Sequence, residues 1–251
     1  MKLRMECAEC SHDQEEPQLI EMRDDGMYEI TCSKGHTTIT VLQQQKFEIL
    51  FDIGAMAIID GYHREAVSSF AASLERFYEF FVFVTCLKHG LDKDSFEKTW
   101  KDISNQSERQ FGAYLFAYLI DHNGKKPPVI DDIKPNLNST SKNKTQGWKA
   151  FRNAVIHKGY IPSYSETVAY GNLVYKHLYE LISDLNERSK EAVQKATFHH
   201  VARVGKVSSG RVVSTKLDQT IVSLVWSRNA HKTFEDALEK LKVRMHYEKK
   251  G

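Results

Sequence analysis

The stretch from His63 to Lys88 constrains the fold more than any other part of the chain. Val67, Phe70, Leu74, Phe77, Phe81 and Val84 recur at intervals of three or four residues. That spacing lays them along one face of an α-helix. Tyr78, Phe80 and Phe83 widen the apolar surface beyond that face. A helix apolar on two sides either sits at the centre of a bundle or buries a partner as well. Its polar residues are Glu65, Glu75 and Arg76. Charges of this kind are ordinarily solvated, and Glu75 is the one to watch, because an acid facing the cleft of Arg152 would orient that guanidinium.

The segments on either side also read as helical. Phe47 to Tyr62 is rich in Phe, Leu, Met and Ile with few strand signals, and His89-Gly90 ends the His63 helix. Another helix begins over Phe96 to Trp100, and Phe111 to Ile120 has the apolar density of a buried segment. His122 to Gly147 holds three of the five prolines among Asn, Ser, Thr and Lys residues, which is loop composition. Ser165 to Thr197 is expected as one long helix, capped by Ser165, with Val168, Leu173, Val174, Leu178, Leu181, Ile182 and Leu185 as its stripe. The fold class is therefore mainly α, with four or five helices.

The first forty-odd residues differ. Cys7 and Cys10 form a C-x2-C pair, and Cys32 and His36 form a C-x3-H pair in which Gly35 permits a tight turn. Two such pairs on separate turns supply four tetrahedral ligands for a zinc ion. Tyr28–Thr31 and Thr37–Val41 read as short strands, so the segment looks like a zinc ribbon. A disulfide is the competing reading, disfavoured by the absence of an export signal and by the poor placement of Cys7 and Cys10 for bonding one another. His12 fits less well than His36 as a ligand, and Cys86 reads as a small buried hydrophobe. Four protein ligands leave no open position, which points to a structural metal required for folding. Such a segment contacts nucleic acid, contacts protein, or serves as scaffold.

The most chemically suggestive stretch is Phe151-Arg152-Asn153-Ala154-Val155-Ile156-His157-Lys158-Gly159. Gly159 is a natural helix stop, with Pro162 shortly after. Ala154, Val155 and Ile156 are apolar and hold the helix to a core. Asn153 and His157 are four apart and share a face; Arg152 reaches the same cleft on its long stem. His157 falls in the last turn, where unpaired carbonyls and the helix dipole favour a protonated imidazole. A cation, an amide and a titratable ring at a helix end suit a phosphodiester. The competing reading is a surface Arg with a capping His.

Arg152, the polar Asn153 after it and His157 resemble the active-site motif of the HEPN superfamily (higher eukaryotes and prokaryotes nucleotide-binding domains). That motif is Arg, four to six residues, then His. The order of long helices first and the motif before the last helix is also similar. The resemblance covers roughly residues 46 to 195. With the ligand pairs before it and the change of character after it, the expected domain organisation is 1–45 as zinc ribbon, 46–195 as a HEPN-like helical bundle and 196–251 as a C-terminal α+β extension, the last outside the resemblance. In that extension, Val201–Trp226 suggests two or three short strands, Phe234–Tyr247 a charged amphipathic helix, and Arg203, Lys206, Arg211 and Lys216 a modest basic surface. Arg228-Asn229-Ala230-His231 copies the motif's letters with too short a gap.

The resemblance also implies a metal-independent endoribonuclease that works as a homodimer, of a kind that often serves as a toxin or antiviral effector with a neutralising or regulatory partner. The aromatic excess of the Phe70–Val84 helix offers a surface for pairing. Lys125, Lys126, Lys134, Lys142 and Lys144 outnumber Asp131 and Asp132 in the preceding loop, which either wraps RNA or is a solvated insertion. The second function class is a non-catalytic module in which Arg152 anchors phosphate and the zinc ribbon recognises nucleic acid or protein. A metal-dependent nuclease is disfavoured, because no carboxylate cluster with ligand spacing is present. A formal charge of +2 over 251 residues does not announce nucleic-acid binding. Phe77–Leu87, the most apolar run, is far too short to cross a membrane. With no secretory signal at Met1–Met5, a cytoplasmic protein without membrane partners is expected.

Overall fold

A computed structural model describes residues 2–10, 16–130, 147–203, 210–225 and 233–248. It is mainly helical. The chain divides into two compact units, one of residues 1–45 with 194–219, the other of residues 46–193 with 220–251. The segment 196–251, expected as an extension of its own, is thus shared between the two.

The smaller unit contains strands β1 (Lys2–Met5), β2 (Gln18–Glu21), β3 (Met27–Thr31) and β4 (Thr37–Leu42). β1 pairs antiparallel with β2, and β3 antiparallel with β4. β3 and β4 are the two strands expected from their β-branched and alternating composition. A third strand from far along the chain, β5 (Val213–Lys216), adds parallel to β4, placing Ile39 opposite Val213 and Leu42 opposite Lys216. Thr40 and Ser214 hydroxyls meet across that pair at 2.9 Å. β5 is the one strand seen among the described residues of the Val201–Trp226 stretch, where two or three were expected. His200 is half-buried in this unit with Nε2 3.0 Å from the Leu42 carbonyl.

The larger unit is a helical bundle. Its helices are α1 (Lys46–Ile59), α2 (His63–Lys88), α3 (Lys93–Lys101), α4 (Ser107–Asp121), α5 (Trp148–His157), α6 (Tyr164–Arg188) and α8 (Phe234–Glu248), and α7 (Lys190–Ala202) starts in it. α2 is central, packing against α1, α3, α4, α5 and α6. All six residues of its expected stripe are buried. The aromatic residues beyond the stripe are used inside the bundle. Phe80 meets Phe47 at 5.7 Å, Tyr78 stacks on Tyr114 at 4.2 Å, and Phe83 meets Phe96 at 4.8 Å between ring centroids. The second apolar face of α2 therefore reflects a central position, and it does not supply a surface for pairing.

Other boundaries differ from expectation for local reasons. The cap of α6 is Ser163, not Ser165. Its hydroxyl accepts from Glu166 N–H while the Glu166 carboxylate accepts from Ser163 N–H, a reciprocal capping box. The expected long helix breaks at Ser189 into α6 and α7. α4 is buried on one face only: Tyr114 and Ala117 point inward, whereas Phe116, Leu119 and Ile120 are exposed.

After β5 the chain crosses the bundle as a short strap. Ile221 N–H donates to Asp52 at 2.9 Å and Leu224 N–H to Glu48 at 3.0 Å. Both carboxylates are buried one turn apart on α1, so they satisfy strap amides that no ladder reaches. The strap leads to α8, whose Phe234 ring packs on Phe51, Phe70 and Tyr175. Two glycines allow this close packing. A Cβ on Gly54 would lie 2.7 Å from the Phe70 ring, and one on Gly171 would lie 2.7 Å from Phe234 and 2.9 Å from Phe70.

Candidate functional sites

In the smaller unit two turns converge. Cys10 N–H donates to the Cys7 carbonyl at 3.2 Å, closing the first. Gly35 N–H donates to the Cys32 carbonyl and Cys32 N–H to the His36 carbonyl, both at 3.0 Å, closing the second. Gly35 takes the left-handed conformation, φ +83°, that the tight turn requires. The three sulfurs and an imidazole nitrogen all lie within 4.8 Å of one another. Cys10 Sγ stands 3.8 Å from Cys32 Sγ and 3.1 Å from His36 Nδ1. All four cysteines are free thiols, so no disulfide staples this segment.

Cys7, Cys10, Cys32 and His36 thus form a cluster that could hold a metal ion. Its electrostatics fit that use. Burial, then the neighbouring Cys32 and Cys7 sulfurs, push the Cys10 thiol up to about 12. A cation at the centre removes that penalty and allows thiolates to share the space. Cys86 lies on α2, half-buried, its thiol raised by burial. His12 lies outside the described residues.

The motif helix α5 is in the larger unit. Trp148, Phe151 and Val155 are its buried face. The Trp148 and Phe151 rings lie 5.8 and 5.6 Å from Tyr170 of α6. This anchoring leaves Arg152 and Asn153 half-buried and His157 exposed in the last turn. Gly159 follows with φ +72°, ending the helix as its sequence implies. Past that end, Tyr160 hydroxyl donates to Glu166 at 2.8 Å, tying the short connection to the first turn of α6.

Arg152 is held at each of its three nitrogens. Nη1 donates to Glu75 Oε1 of α2 at 3.2 Å, and Nε and Nη2 donate to Asn153 Oδ1 at 3.2 and 3.1 Å. Glu75, singled out in the sequence as an acid that would face the Arg152 cleft, does orient the guanidinium. Asn153 turns its oxygen to Arg152. Among the described residues none hydrogen-bonds the His157 imidazole, so the Asn153 and His157 side chains share the face without a bond between them. Glu108, in the first turn of α4, is also near. Backbone N–H and Ser107 hydroxyl donation, and then the positive charge of Arg152 and Lys149, hold its carboxyl below the usual range.

Sequence reasoning missed Arg64. It is the second residue of α2, and its Nη2 reaches the Ile156 carbonyl, 3.5 Å away, one residue before His157. Nothing local marks it, because the contact joins residues 92 positions apart. The Lys134, Lys142, Lys144, Asp131 and Asp132 part of the preceding loop lies outside the described residues, as do Lys206 and Arg228–His231. Comparison of the chain with family models, curated proteins and solved structures gives no match.

Proposed function

We propose that the protein is a metal-independent endoribonuclease, with Arg152, Asn153 and His157 as its catalytic residues. One observation carries this reading: a guanidinium pre-oriented by Glu75 and Asn153 on the same helix end that presents an unengaged, exposed imidazole. Pre-orientation matters because a donor fixed in advance stabilises developing charge without reorganising during the reaction.

In the proposed reaction the substrate's 2′-hydroxyl oxygen attacks the adjacent phosphorus as its proton passes to a base. Arg152 balances charge on the crowded phosphorane. The bond from phosphorus to the 5′ oxygen breaks, and that oxygen takes a proton from an acid. The products are a 2′,3′-cyclic phosphate and a 5′-hydroxyl. His157 shuttles protons. One imidazole cannot serve both sides of phosphorus conveniently, so the reading includes a homodimer that pairs two copies of His157. Exposed Phe116, Leu119 and Ile120 of α4 offer apolar surface for such pairing.

Zinc is the ion we assign to the cluster of Cys7, Cys10, Cys32 and His36. A tetrahedron of sulfurs about 2.3 Å from zinc has edges of about 3.8 Å, the separation of Cys10 and Cys32. Three thiolates and an imidazole form a closed soft-donor set, which gives the metal a structural role. The HEPN resemblance supports a role as a toxin or antiviral effector answering to a regulatory protein. No helix among the described residues is long and apolar enough to cross a membrane.

A second reading, a non-catalytic module that binds nucleotides, RNA or a partner protein, draws on the same geometry. With all three nitrogens of Arg152 already engaged and no hydrogen bond orienting His157, the helix end could serve as a phosphate anchor. Incubating the purified protein with single-stranded RNA in EDTA separates the two. Cleavage that disappears in folded His157→Ala supports the enzyme; tight binding without turnover supports the module.

A further inference from the structure

The end of α5 presents an electrostatic difficulty for any phosphate ligand. The last carbonyls of a helix carry a partial negative charge of about half a unit, and His157 is in that last turn. A phosphate approaching His157 is repelled unless a cation offsets the helix end. Arg152 is more than a turn back along the helix and already engaged by Glu75 and Asn153.

Arg64 is the cation at the right place. Contacts between Arg152 and Glu75, and between Ile156 and Arg64, show that α5 runs antiparallel along α2. From Arg152 to His157 the helix rises about 7.5 Å, so the two guanidinium groups meet α5 at opposite ends of the motif. Arg64 is not consumed by its contacts. Its 3.5 Å approach to the Ile156 carbonyl is at the limit of a hydrogen bond, and its 3.9 Å approach to Glu65 is between exposed side chains. Five N–H donors in a planar fork leave capacity for a phosphate. Arg64 also stands in the first turn of α2, whose N-cap residue Tyr62 provides no side-chain cap. The positive end of one helix therefore lies beside the negative end of the other.

We propose that Arg64 binds a phosphate of single-stranded RNA at the His157 end of the motif, next to the phosphate held by Arg152. The inference deepens the ribonuclease reading by naming how the strand is gripped, and it rests on RNA being the ligand.

The test is a salt series of RNA binding with the full chain in a His157→Ala background, comparing Arg64 with Arg64→Gln and Arg64→Lys. Each phosphate neutralised on a single strand contributes about 0.7 to the slope of log affinity against log salt. Arg64→Gln is expected to lower that slope by about 0.7, and Arg64→Lys to keep it, with the melting temperature of all three alike. An unchanged slope in Arg64→Gln overturns the proposal, as does an absence of RNA binding by the parent protein. The two readings fail separately. A lowered slope in a protein whose native form never cuts RNA refutes the ribonuclease and keeps the Arg64 contact; cleavage with an unchanged slope does the reverse.

Discussion

Arg152 of α5 and Glu75 of α2 form an ion pair at 3.2 Å, with side chains 21 and 30% exposed. The pair joins the charge proposed to act at phosphorus to the central helix of the bundle. Its role is positional, since a half-exposed pair contributes little stability by itself. Glu75→Ala is expected to lower cleavage about tenfold, the equivalent of roughly 1.4 kcal/mol in the barrier, with the melting temperature little changed. Arg152→Ala, which removes the charge itself, is expected to cost at least about a hundredfold. Steady-state cleavage rates alongside thermal melts check both, and equal rates for all three proteins contradict the assignment.

The metal cluster gives an independent expectation. Freshly purified protein should contain about one zinc per chain, since the four ligands close a single tetrahedral site. Cys32→Ser should lose most of it and expose the smaller unit to proteolysis, because metal-ligand free energy is folding free energy in a segment this small. Elemental analysis and limited digestion measure these outcomes. Another metal in stoichiometric amount, or none, contradicts the zinc assignment.

His177 makes stability depend on pH. It is buried against the Tyr78 hydroxyl, and burial lowers its pKa to about 4. Below the unfolded value of about 6.5 the unfolded chain binds a proton that the folded chain refuses, so stability falls as pH drops from there towards 4. The full loss is about 3 kcal/mol. Asp52 has the opposite slope. Burial raises it to about 7, so its folded form keeps a proton that the unfolded chain releases, and its contribution falls as pH rises from about 4 to 7. Denaturant melts at pH 7.5 and 5 should therefore show less acid loss in His177→Gln than in the parent. Equal loss in both refutes the assignment to His177.

Much of this was legible in the sequence. The α2 stripe, the four clustered ligands and the halt at Gly159 follow from spacing and local conformational preference. Glu75 was legible as the acid facing Arg152, and the structure adds the 3.2 Å contact. The addition of β5 to β4, the strap held by Glu48 and Asp52, and the approach of Arg64 to Ile156 join residues far apart in the chain. Pairings of this sort leave no periodic signal. The apolar run over Phe111–Ile120 misled for a different reason: composition counts apolar residues without showing that Phe116, Leu119 and Ile120 face outward. Ser165 was the wrong cap because the capping box needs an acid three residues on, which Ser163 has in Glu166.

Packing around Phe70 and Phe234 is expected to be intolerant of added volume. In Gly171→Ala the new methyl would lie within 3 Å of both rings, and neither can move freely in a filled core. A destabilisation of about 1–3 kcal/mol is expected, as for other overpacked cores. Chemical denaturation measures it, and a variant as stable as the parent contradicts the close packing described.

The central claim is tested most directly by the ends of the RNA products. Single-stranded RNA cut by the protein in EDTA should yield a 2′,3′-cyclic phosphate and a 5′-hydroxyl, resolved by mass spectrometry. The same RNA with one deoxyribose at the scissile nucleotide should bind and remain uncut, because phosphate contacts survive while the attacking group is gone. Products with 5′-phosphates, or cleavage of the deoxy-substituted strand, would contradict the mechanism.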